Sequence, residues 1–289
     1  MIEIKRLDDK CTRCLLCVRD CVAGVWREVD GLPEPVNPKM CNACGHCLAV
    51  CPAGAVRHSL LDESRARPVN GDLLNPDVYA EIIASRRSVR RYKSKPVPDG
   101  VVEELIDLAR FSPTASNSQN VAYTVVTDRE VLSRVSAHIF GFGVRLFNWS
   151  NSGIGRKLLA TFKNTGFVRT LDRYLASIDH YIAENARGRD FILHNAPVLI
   201  LISTPRGAAF GADNCNIAAT NIINYAHARG LGSCYIGFLV LMLKRSRKLR
   251  RLLAVPRDRS VHVGLVLGYP AYRHTNTAFR KTPPVKWVK

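Results

Sequence analysis

The segment CTRCLLCVRDC at residues 11–21 places four cysteines in the spacing C-x2-C-x2-C-x3-C. The segment CNACGHCLAVC at residues 41–51 repeats this spacing thirty positions later, so the two segments contain eight of the chain's ten cysteines. The spacing is typical of cubane [4Fe–4S] clusters, in which three closely spaced thiolates hold three corners of a cube and a fourth thiolate comes from elsewhere in the chain. The two segments therefore predict two clusters that transfer single electrons.

Disulfide formation and zinc binding are the two other roles that the cysteines could have. Disulfide frameworks belong to short secreted chains, and the opening residues MIEIKR lack the apolar run of a signal peptide. Zinc sites usually take four ligands from paired C-x2-C units, which the third cysteine of each segment fits poorly. The two halves also resemble each other beyond the ligands. CVAGV at residues 21–25 aligns with CPAGAV at residues 51–56, as expected of an internal duplication. Val22 stands where the second half has Pro52, a difference that removes no ligand.

The length of 289 residues leaves room for about two domains. A cysteine-rich part of about 60 residues is too small for a large hydrophobic core, so we expect its metal to contribute to folding. No stretch reaches 18 apolar residues, and no membrane-spanning helix is expected. Unpaired thiols together with oxygen-sensitive clusters indicate a reducing cytoplasm.

The formal net charge of +18 is concentrated in the later part of the chain. Residues 1–70 contain ten basic and nine acidic residues, so the remainder carries almost the whole excess. Its densest run, KRSRKLRR at residues 244–251, fits either a solvated helix face or a docking surface for an acidic redox protein. No nucleic-acid-binding motif with interleaved aromatic residues accompanies the run, so nucleic acid is not favoured as a partner.

A polar segment rich in helix breakers at residues 61–76 predicts a linker between a domain at residues 1–60 and a second domain at residues 77–289. Helical spacing marks residues 78–85, 101–110, 170–186, 213–228 and 239–253, and strand-like runs occupy residues 121–127, 198–203 and 261–267. This order predicts an α+β fold with a central sheet flanked by helices. No G-x-G-x-x-G follows a strand, so a Rossmann dinucleotide site is not indicated.

Four segments of the second domain carry candidate binding groups. SRRSVRRY at residues 85–92 fits either a solubilising helix end or an anion site, because guanidinium groups bind phosphate bidentately. PTASNSQ at residues 113–119 is rich in amide and hydroxyl groups, and the glycines of GLGSCYIG at residues 230–237 permit close approach to a flat ligand. Arg280 and Lys281 add a second basic pair.

In this order and spacing the four segments, with GLVLGYP at residues 264–270, resemble the FMN-dependent nitroreductase family. The resemblance extends from about residue 77 to the end, except for residues 141–189, and Asn120 replaces the proline that is common after the glutamine. Residues 1–60 resemble bacterial two-cluster ferredoxins. Together these resemblances imply a small ferredoxin-like domain followed by a nitroreductase-like α+β domain.

The resemblances also imply roles for particular residues. One cluster would be held by Cys11, Cys14, Cys17 and Cys51, and the other by Cys41, Cys44, Cys47 and Cys21. FMN would lie at the interface of a homodimer, with its phosphate, ribityl chain and pyrimidine edge contacted by Arg86, Arg87, Ser88 and Arg90, and its phosphate also by Arg280 and Lys281. The flavin of the partner subunit would be reached by Pro113, Thr114, Ala115 and Asn117, and the reactive N5 would face the backbone of Ile236 and Gly237. The remaining thiols, Cys215 and Cys234, are expected to be small buried apolar residues, and His194 and His262 to be structural.

These features predict an iron–sulfur flavoprotein oxidoreductase. Electrons from a low-potential donor would pass through two [4Fe–4S] clusters to FMN, which would reduce a nitro, quinone or activated-alkene acceptor. NAD(P)H is a second candidate donor, and no side chain is assigned a catalytic role. The alternative is a non-catalytic electron-transfer or redox-sensing flavoprotein, because residues 141–189 match the family poorly where a substrate pocket is normally shaped.

Overall fold

The computed structural model describes residues 2–150, 152 and 177–289. The chain divides into two compact units: Met1–Asn75 with Thr114–Gln119 form the first, and Pro76–Pro113 with Asn120–Lys289 form the second. The predicted linker at residues 61–76 remains a prediction, and all but its last residue lie in the first unit. None of the helices in the described part of the chain has the length and hydropathy needed to cross a membrane.

The first unit consists of two small antiparallel sheets and two short helices. Its elements are β1 (Ile4–Arg6), α1 (Leu16–Asp20), β2 (Trp26–Val29), β3 (Leu32–Pro35), α2 (His46–Ala49) and β4 (Val56–His58). Strand β1 pairs with β4, and β2 pairs with β3. Asp30 and Gly31 connect β2 to β3 with positive φ angles of 51° and 77°, as a two-residue hairpin turn of type I′ requires.

The apolar core of the first unit is small. Its buried members are Ile4, Cys17, Val25, Trp26 and Val56. Several of the motif cysteines pack against this cluster as partly buried side chains. A core of this size supplies little hydrophobic stabilisation, which agrees with the expectation that bound metal contributes to folding.

The second unit is built on a four-stranded antiparallel sheet with the strand order β5-β6-β8-β7. The strands are β5 (Ala122–Val126), β6 (Val198–Pro205), β7 (Gly232–Tyr235) and β8 (Arg259–Gly268). The central strands β6 and β8 are buried over most of their length, because helices cover both faces of the sheet. Their continuous apolar sequences follow from burial on both sides.

The described helices of the second unit form two layers around the sheet. They are α3 (Pro76–Ser85), α4 (Asp99–Ala109), α5 (Arg129–Ser150), α6 (Ile178–Ala186), α7 (Gly211–Ala228), α8 (Gly237–Leu243) and α9 (Arg247–Leu252). Helices α4 and α7 pack on one face of the sheet through residues such as Leu105 and Ile222. Helices α5, α8 and α9 pack on the other face through residues such as Ile139, Leu239 and Leu249.

The predicted helix over residues 239–253 is wrong in its extent. Two helices, α8 and α9, occupy this region, and they are separated at Ser246, whose backbone is extended. The Ser246 hydroxyl accepts a hydrogen bond from the Leu249 N–H at 3.2 Å, so a new helix begins there. The basic run at residues 244–251 therefore covers the connection after α8 and most of α9, with Leu249 buried and most of the charged side chains exposed.

Helix α5 was not predicted from the sequence. Gly141 and Gly143 lie within it, and glycines inside a helical pattern weaken the signal. Of the helical region predicted at residues 170–186, residues 170–176 lie outside the described residues and α6 begins at Ile178.

Gly232 permits a close approach that positions the arginine-rich segment. The Val89 N–H donates to the Ser233 carbonyl at 2.9 Å, which fixes residues 86–92 beside β7. A Cβ atom on Gly232 would lie 2.6–2.8 Å from three side-chain atoms of buried Val89. Van der Waals overlap of this kind in a packed core costs about 1–3 kcal/mol.

We expect Gly232→Ala to lower the free energy of unfolding of the second unit by about 1–3 kcal/mol. Gly100→Ala is the matched control, because Gly100 lies in α4 with open space around its Cβ position and should be neutral or slightly stabilising. Urea unfolding followed by circular dichroism measures both variants. Equal midpoints for Gly232→Ala and the unchanged protein would show that the contact with Val89 relaxes without cost.

Candidate iron–sulfur and cofactor sites

Four thiols from both cysteine segments surround one cavity of the first unit. The cavity has a volume of about 220 Å³, and its lining includes Cys21, Cys41, Cys44 and Cys47. We refer to it as the four-thiol cavity. Three of these residues come from the second segment and one from the first, which is the ligand set that the ferredoxin resemblance implies for one cluster.

The thiols of the other predicted set also lie near one another. Burial raises the pKa of Cys17 to about 11, and the neighbouring thiols of Cys14 and Cys51 add to this effect. Cys51 belongs to the second segment, so thiols of both segments lie near one another here too. The Sγ of Cys51 accepts a hydrogen bond from the Ala55 N–H at 3.2 Å.

The polar groups around the four-thiol cavity fit an iron–sulfur cluster. Trp26 lines this cavity and is buried, yet its indole Nε1 has no hydrogen-bond partner among the described residues. Burial raises the pKa of Cys47, and the nearby Trp26 N–H opposes that rise. The unsatisfied N–H and the cavity between the thiols both match a sulfur-containing group larger than one ion.

His58 donates a hydrogen bond to one of the predicted ligands. Its Nδ1 accepts from the Leu60 N–H at 3.1 Å, so the proton of the neutral ring lies on Nε2. That Nε2 is 3.3 Å from the Sγ of Cys41. Burial lowers the pKa of His58, which keeps the ring neutral, and the Ala43 N–H is a second donor to Cys41 at 3.3 Å.

The loop Thr114–Gln119 contributes to the four-thiol cavity through Asn117. The Asn117 side-chain amide donates to the carbonyls of Asn42 and Ala43, both at 3.0 Å. These two residues lie between Cys41 and Cys44. Asn117 has a φ of 52°, a left-handed conformation that asparagine adopts at low cost. Of the residues predicted to reach the flavin of a partner, Thr114, Ala115 and Asn117 thus lie in the first unit and Pro113 in the second.

A cavity of about 430 Å³ in the second unit brings together three of the predicted flavin contacts. Arg90, Ile236 and Gly237 lie in its wall. Its volume falls within the usual range for small-molecule and cofactor sites. We refer to it as the Arg90 cavity.

Ser88 and Tyr92 of the segment at residues 86–92 form isolated β-bridges with Ser233 and Pro270, so side chains along it are expected to alternate between two sides. Arg90 lines the Arg90 cavity, whereas Arg87 lies in the wall of a separate cavity of about 550 Å³. Burial raises the pKa of Cys234 in the wall of the Arg90 cavity, and Arg90, Ser88 and Arg86 oppose this rise. The structure therefore places Arg90 and Arg87 in different cavities.

The second predicted basic pair lies on the C-terminal segment. Arg280 and Lys281 are both exposed. The Ala278 N–H donates to the Ala84 carbonyl at 2.8 Å, which holds this segment beside the end of α3, two residues before Arg86. Within the second unit, the structure thus places Arg280 and Lys281 on a segment that is held near the start of the arginine-rich segment.

Several residues that line the Arg90 cavity were not predicted from the sequence. They are side chains of α5, α6 and the following loop: Ile139, Phe140, Leu146, Ile178, Tyr181, Phe191, Ile192 and His194. Asp190 organises the loop by accepting hydrogen bonds from the N–H groups of Ile192 at 2.7 Å and Leu193 at 3.1 Å. His194 thus lines a cavity, whereas the sequence predicted only a structural role. The signal in the sequence that could have indicated this loop is Asp190, because an aspartate often accepts hydrogen bonds from the backbone N–H groups two and three residues later.

Burial lowers the pKa of several histidines in the second unit: His138, His194, His227 and His262. In the unfolded chain a histidine binds a proton below about pH 6.5, whereas these folded side chains bind it only at lower pH. Stability falls with decreasing pH wherever the unfolded state binds more protons. We therefore expect the urea midpoint of the second unit to decrease as the pH is lowered from 7.5 through 6.5 to 5.5. A midpoint that stays constant or rises over this range would contradict the burial effect.

Two parts of the chain match models of known protein families. A model of the nitroreductase family matches residues 83–269, and a model of the 4Fe-4S dicluster domain matches residues 3–52. The chain is 27% identical over 227 residues to the 4-nitrobenzoate reductase of Nocardioides sp. (strain LMS-CY), covering 75% of this chain and 90% of that protein.

Two further similarities concern one unit each. Over 51 residues the chain is 43% identical to the indolepyruvate oxidoreductase subunit IorA of Methanothermobacter thermautotrophicus, covering 17% of this chain and 8% of that protein. The fold is similar to that of a nitroreductase with bound FMN from Bacteroides fragilis NCTC 9343, with a TM-score of 0.53 and 20% identity over 75% of this chain and all of that one. The predicted ferredoxin-like domain and the α+β fold of the second domain are confirmed.

Proposed function

The chain belongs to the nitroreductase family and carries an N-terminal 4Fe-4S dicluster domain, and on this basis we propose that it is an iron–sulfur flavoprotein oxidoreductase. Electrons from a low-potential donor enter through two [4Fe–4S] clusters and reach FMN, which reduces an electrophilic acceptor. The observation that carries this proposal is the presence, in one chain, of a cavity lined by four thiols and a second cavity lined by Arg90, Ile236 and Gly237.

The two kinds of cofactor supply complementary chemistry: the clusters exchange single electrons, and FMN accepts them singly and releases two together. The chain's own residues bind and orient these groups. Arg86 and Arg90 both oppose the rise in the pKa of Cys234, and their guanidinium groups would bind phosphate and stabilise negative charge on the reduced ring. Apolar side chains such as Ile139 and Ile178 line the same cavity as Arg90.

We further propose that the protein is a homodimer with FMN at the subunit interface. The C-terminal segment exposes large apolar side chains, including Phe279 at 85% and Trp287 at 81%. Exposed apolar groups close together in sequence are typical of a surface that a partner covers. Arg280 and Lys281 lie within the same segment, so a partner that orders the segment also orders this basic pair. Oxygen-sensitive clusters are consistent with a reducing compartment, and we propose the cytoplasm.

The acceptor that we propose is a nitroaromatic compound, with quinones and activated alkenes as further candidates. The similarity to a 4-nitrobenzoate reductase supports this choice. Aromatic and apolar residues on the wall of the Arg90 cavity, such as Tyr181 and Phe191, suit a flat acceptor stacked on a flavin. Arg90 additionally suits an acceptor that carries a carboxylate.

The proposal is tested by quantifying iron and flavin per chain in anaerobically purified protein and then by following turnover. We expect about eight irons per chain and one FMN, with steady reoxidation of the reduced protein by 4-nitrobenzoate or a quinone. A reduced ferredoxin and NADH are compared as donors. Reoxidation by redox proteins alone, without turnover of any small acceptor, would instead identify a non-catalytic carrier. Absence of flavin would overturn the proposal.

A further inference from the structure

The surroundings of the two predicted clusters differ in hydrogen-bond donors. His58 and Trp26 both line the four-thiol cavity. The His58 Nε2–H points to the Cys41 sulfur at 3.3 Å. Trp26 is buried in the wall of the same cavity as Cys47, and its N–H has no partner in the described part of the chain. Two side-chain N–H groups are thus available to the sulfurs that would surround one cluster.

The internal duplication supplies the comparison with the other cluster. An offset of thirty residues relates His58 to Glu28 and Trp26 to Val56. Glu28 is exposed and its side chain is negatively charged, whereas Val56 is buried and has no polar side-chain atom. The side chains at the two positions equivalent to the donors therefore offer the other cluster no N–H group.

Hydrogen bonds to the sulfurs are one of the factors that set the reduction potential of a cluster. A donated N–H stabilises the more negative, reduced state more than the oxidised state, so it raises the potential. The Asn117 amide also holds the loop between Cys41 and Cys44 in place, because it donates to the carbonyls of Asn42 and Ala43 at 3.0 Å. Asn117 also has no counterpart in the duplicated segment, since it comes from a loop after α4.

We propose that the cluster held by Cys21, Cys41, Cys44 and Cys47 has the higher reduction potential of the two. His58 and Trp26 raise this potential through the N–H groups that they offer to the sulfurs. When the donor gives up one electron, that electron reduces this cluster and the other cluster stays oxidised. This inference rests on the two-cluster part of the proposed function. It states which of the two clusters is reduced first, which neither the cysteine spacing nor the family similarity indicates.

The test is an anaerobic redox titration of the full-length protein followed by electron paramagnetic resonance. His58→Phe removes the donor and keeps a ring of similar size, and we expect it to make reduction of the first-reduced cluster about tenfold less favourable, or about 59 mV for one electron. His58→Gln retains an N–H donor and should restore most of the potential. Glu28→Gln is the matched control at the equivalent position and should leave both potentials unchanged.

Trp26→Phe supplies an independent measurement if His58→Phe fails to retain iron, and it should lower the potential of the same cluster. The inference is overturned if these variants shift only the lower-potential cluster, shift both equally, or shift neither. An effect of Glu28→Gln as large as that of His58→Phe would also overturn it. Failure of the proposed function would appear differently, as absent flavin or absent turnover, because the cluster potentials are measured without an acceptor.

Discussion

Replacing Cys47 by alanine is expected to reduce the iron content from about eight to about four atoms per chain, because one cubane loses a corner ligand. Cys47 lies in the wall of the four-thiol cavity, and burial raises its pKa, so in the absence of iron its thiol is protonated and inert. The second unit has its own extensive core, and FMN should therefore remain bound. Flavin reduction by a reduced ferredoxin should be lost, whereas reduction by dithionite persists.

Cys215→Ala is the matched control for this prediction. Cys215 is fully buried in the second unit, and burial raises its pKa to about 12, as expected of a small apolar core residue. This variant should keep all its iron and its donor-dependent activity. Iron quantification by a colorimetric chelator and the visible spectrum distinguish the variants. If Cys47→Ala holds as much iron as the unchanged protein, Cys47 is not a ligand and the four-thiol cavity is not a cluster site.

The cysteine spacing was sufficient to predict the first unit, because a cubane cluster imposes a fixed ligand geometry on a short segment. The structure adds residues near the thiols that the cysteine spacing cannot predict. His58 lies seven residues beyond its nearest motif cysteine and Asn117 lies in a distant segment, so only the folded chain brings them to the thiols. A histidine in a short strand has no pattern that separates a sulfur donor from an ordinary core residue.

Three of the four strands of the second unit were predicted from the sequence for a different reason, whereas β7 was not predicted. Strands β6 and β8 are buried on both faces, so their sequences are continuous apolar runs that few other structures explain. Helix α5 was missed because two glycines interrupt its pattern, and the break at Ser246 was missed because apolar and basic residues continue across it. In both cases tertiary packing outweighs the local signal.

The arginine-rich segment shows how alternation refines a motif. Four of its residues were predicted to contact the flavin, but an extended backbone presents only every second side chain to one ligand. Arg90 lines one cavity and Arg87 lines a separate one. The composition of the segment predicts an anion site, and we expect alternation along the backbone to decide which guanidinium groups form it.

We expect the double variant Arg86→Ala with Arg90→Ala to weaken FMN binding by about a hundredfold, because each hydrogen bond to a charged group contributes about 1.5–3 kcal/mol. Both guanidinium groups oppose the rise in the pKa of Cys234, which lines the Arg90 cavity, where the phosphate and the ring edge of the flavin are proposed to lie. The dissociation constant is measured by flavin fluorescence on adding FMN to the flavin-free protein. The iron content should stay unchanged, since the clusters belong to the other unit.

Arg87→Ala separates a specific site from a general effect of positive charge. It removes one guanidinium from the same short segment, but from the side that lines the 550 Å³ cavity. If binding depended only on the net charge of the second unit, Arg87→Ala would weaken it about as much as either single variant. If the alternation governs binding, Arg87→Ala leaves the affinity within about twofold, a difference below 0.5 kcal/mol. A large loss in Arg87→Ala would therefore place this side chain on the phosphate and assign the flavin to the opposite side of the segment.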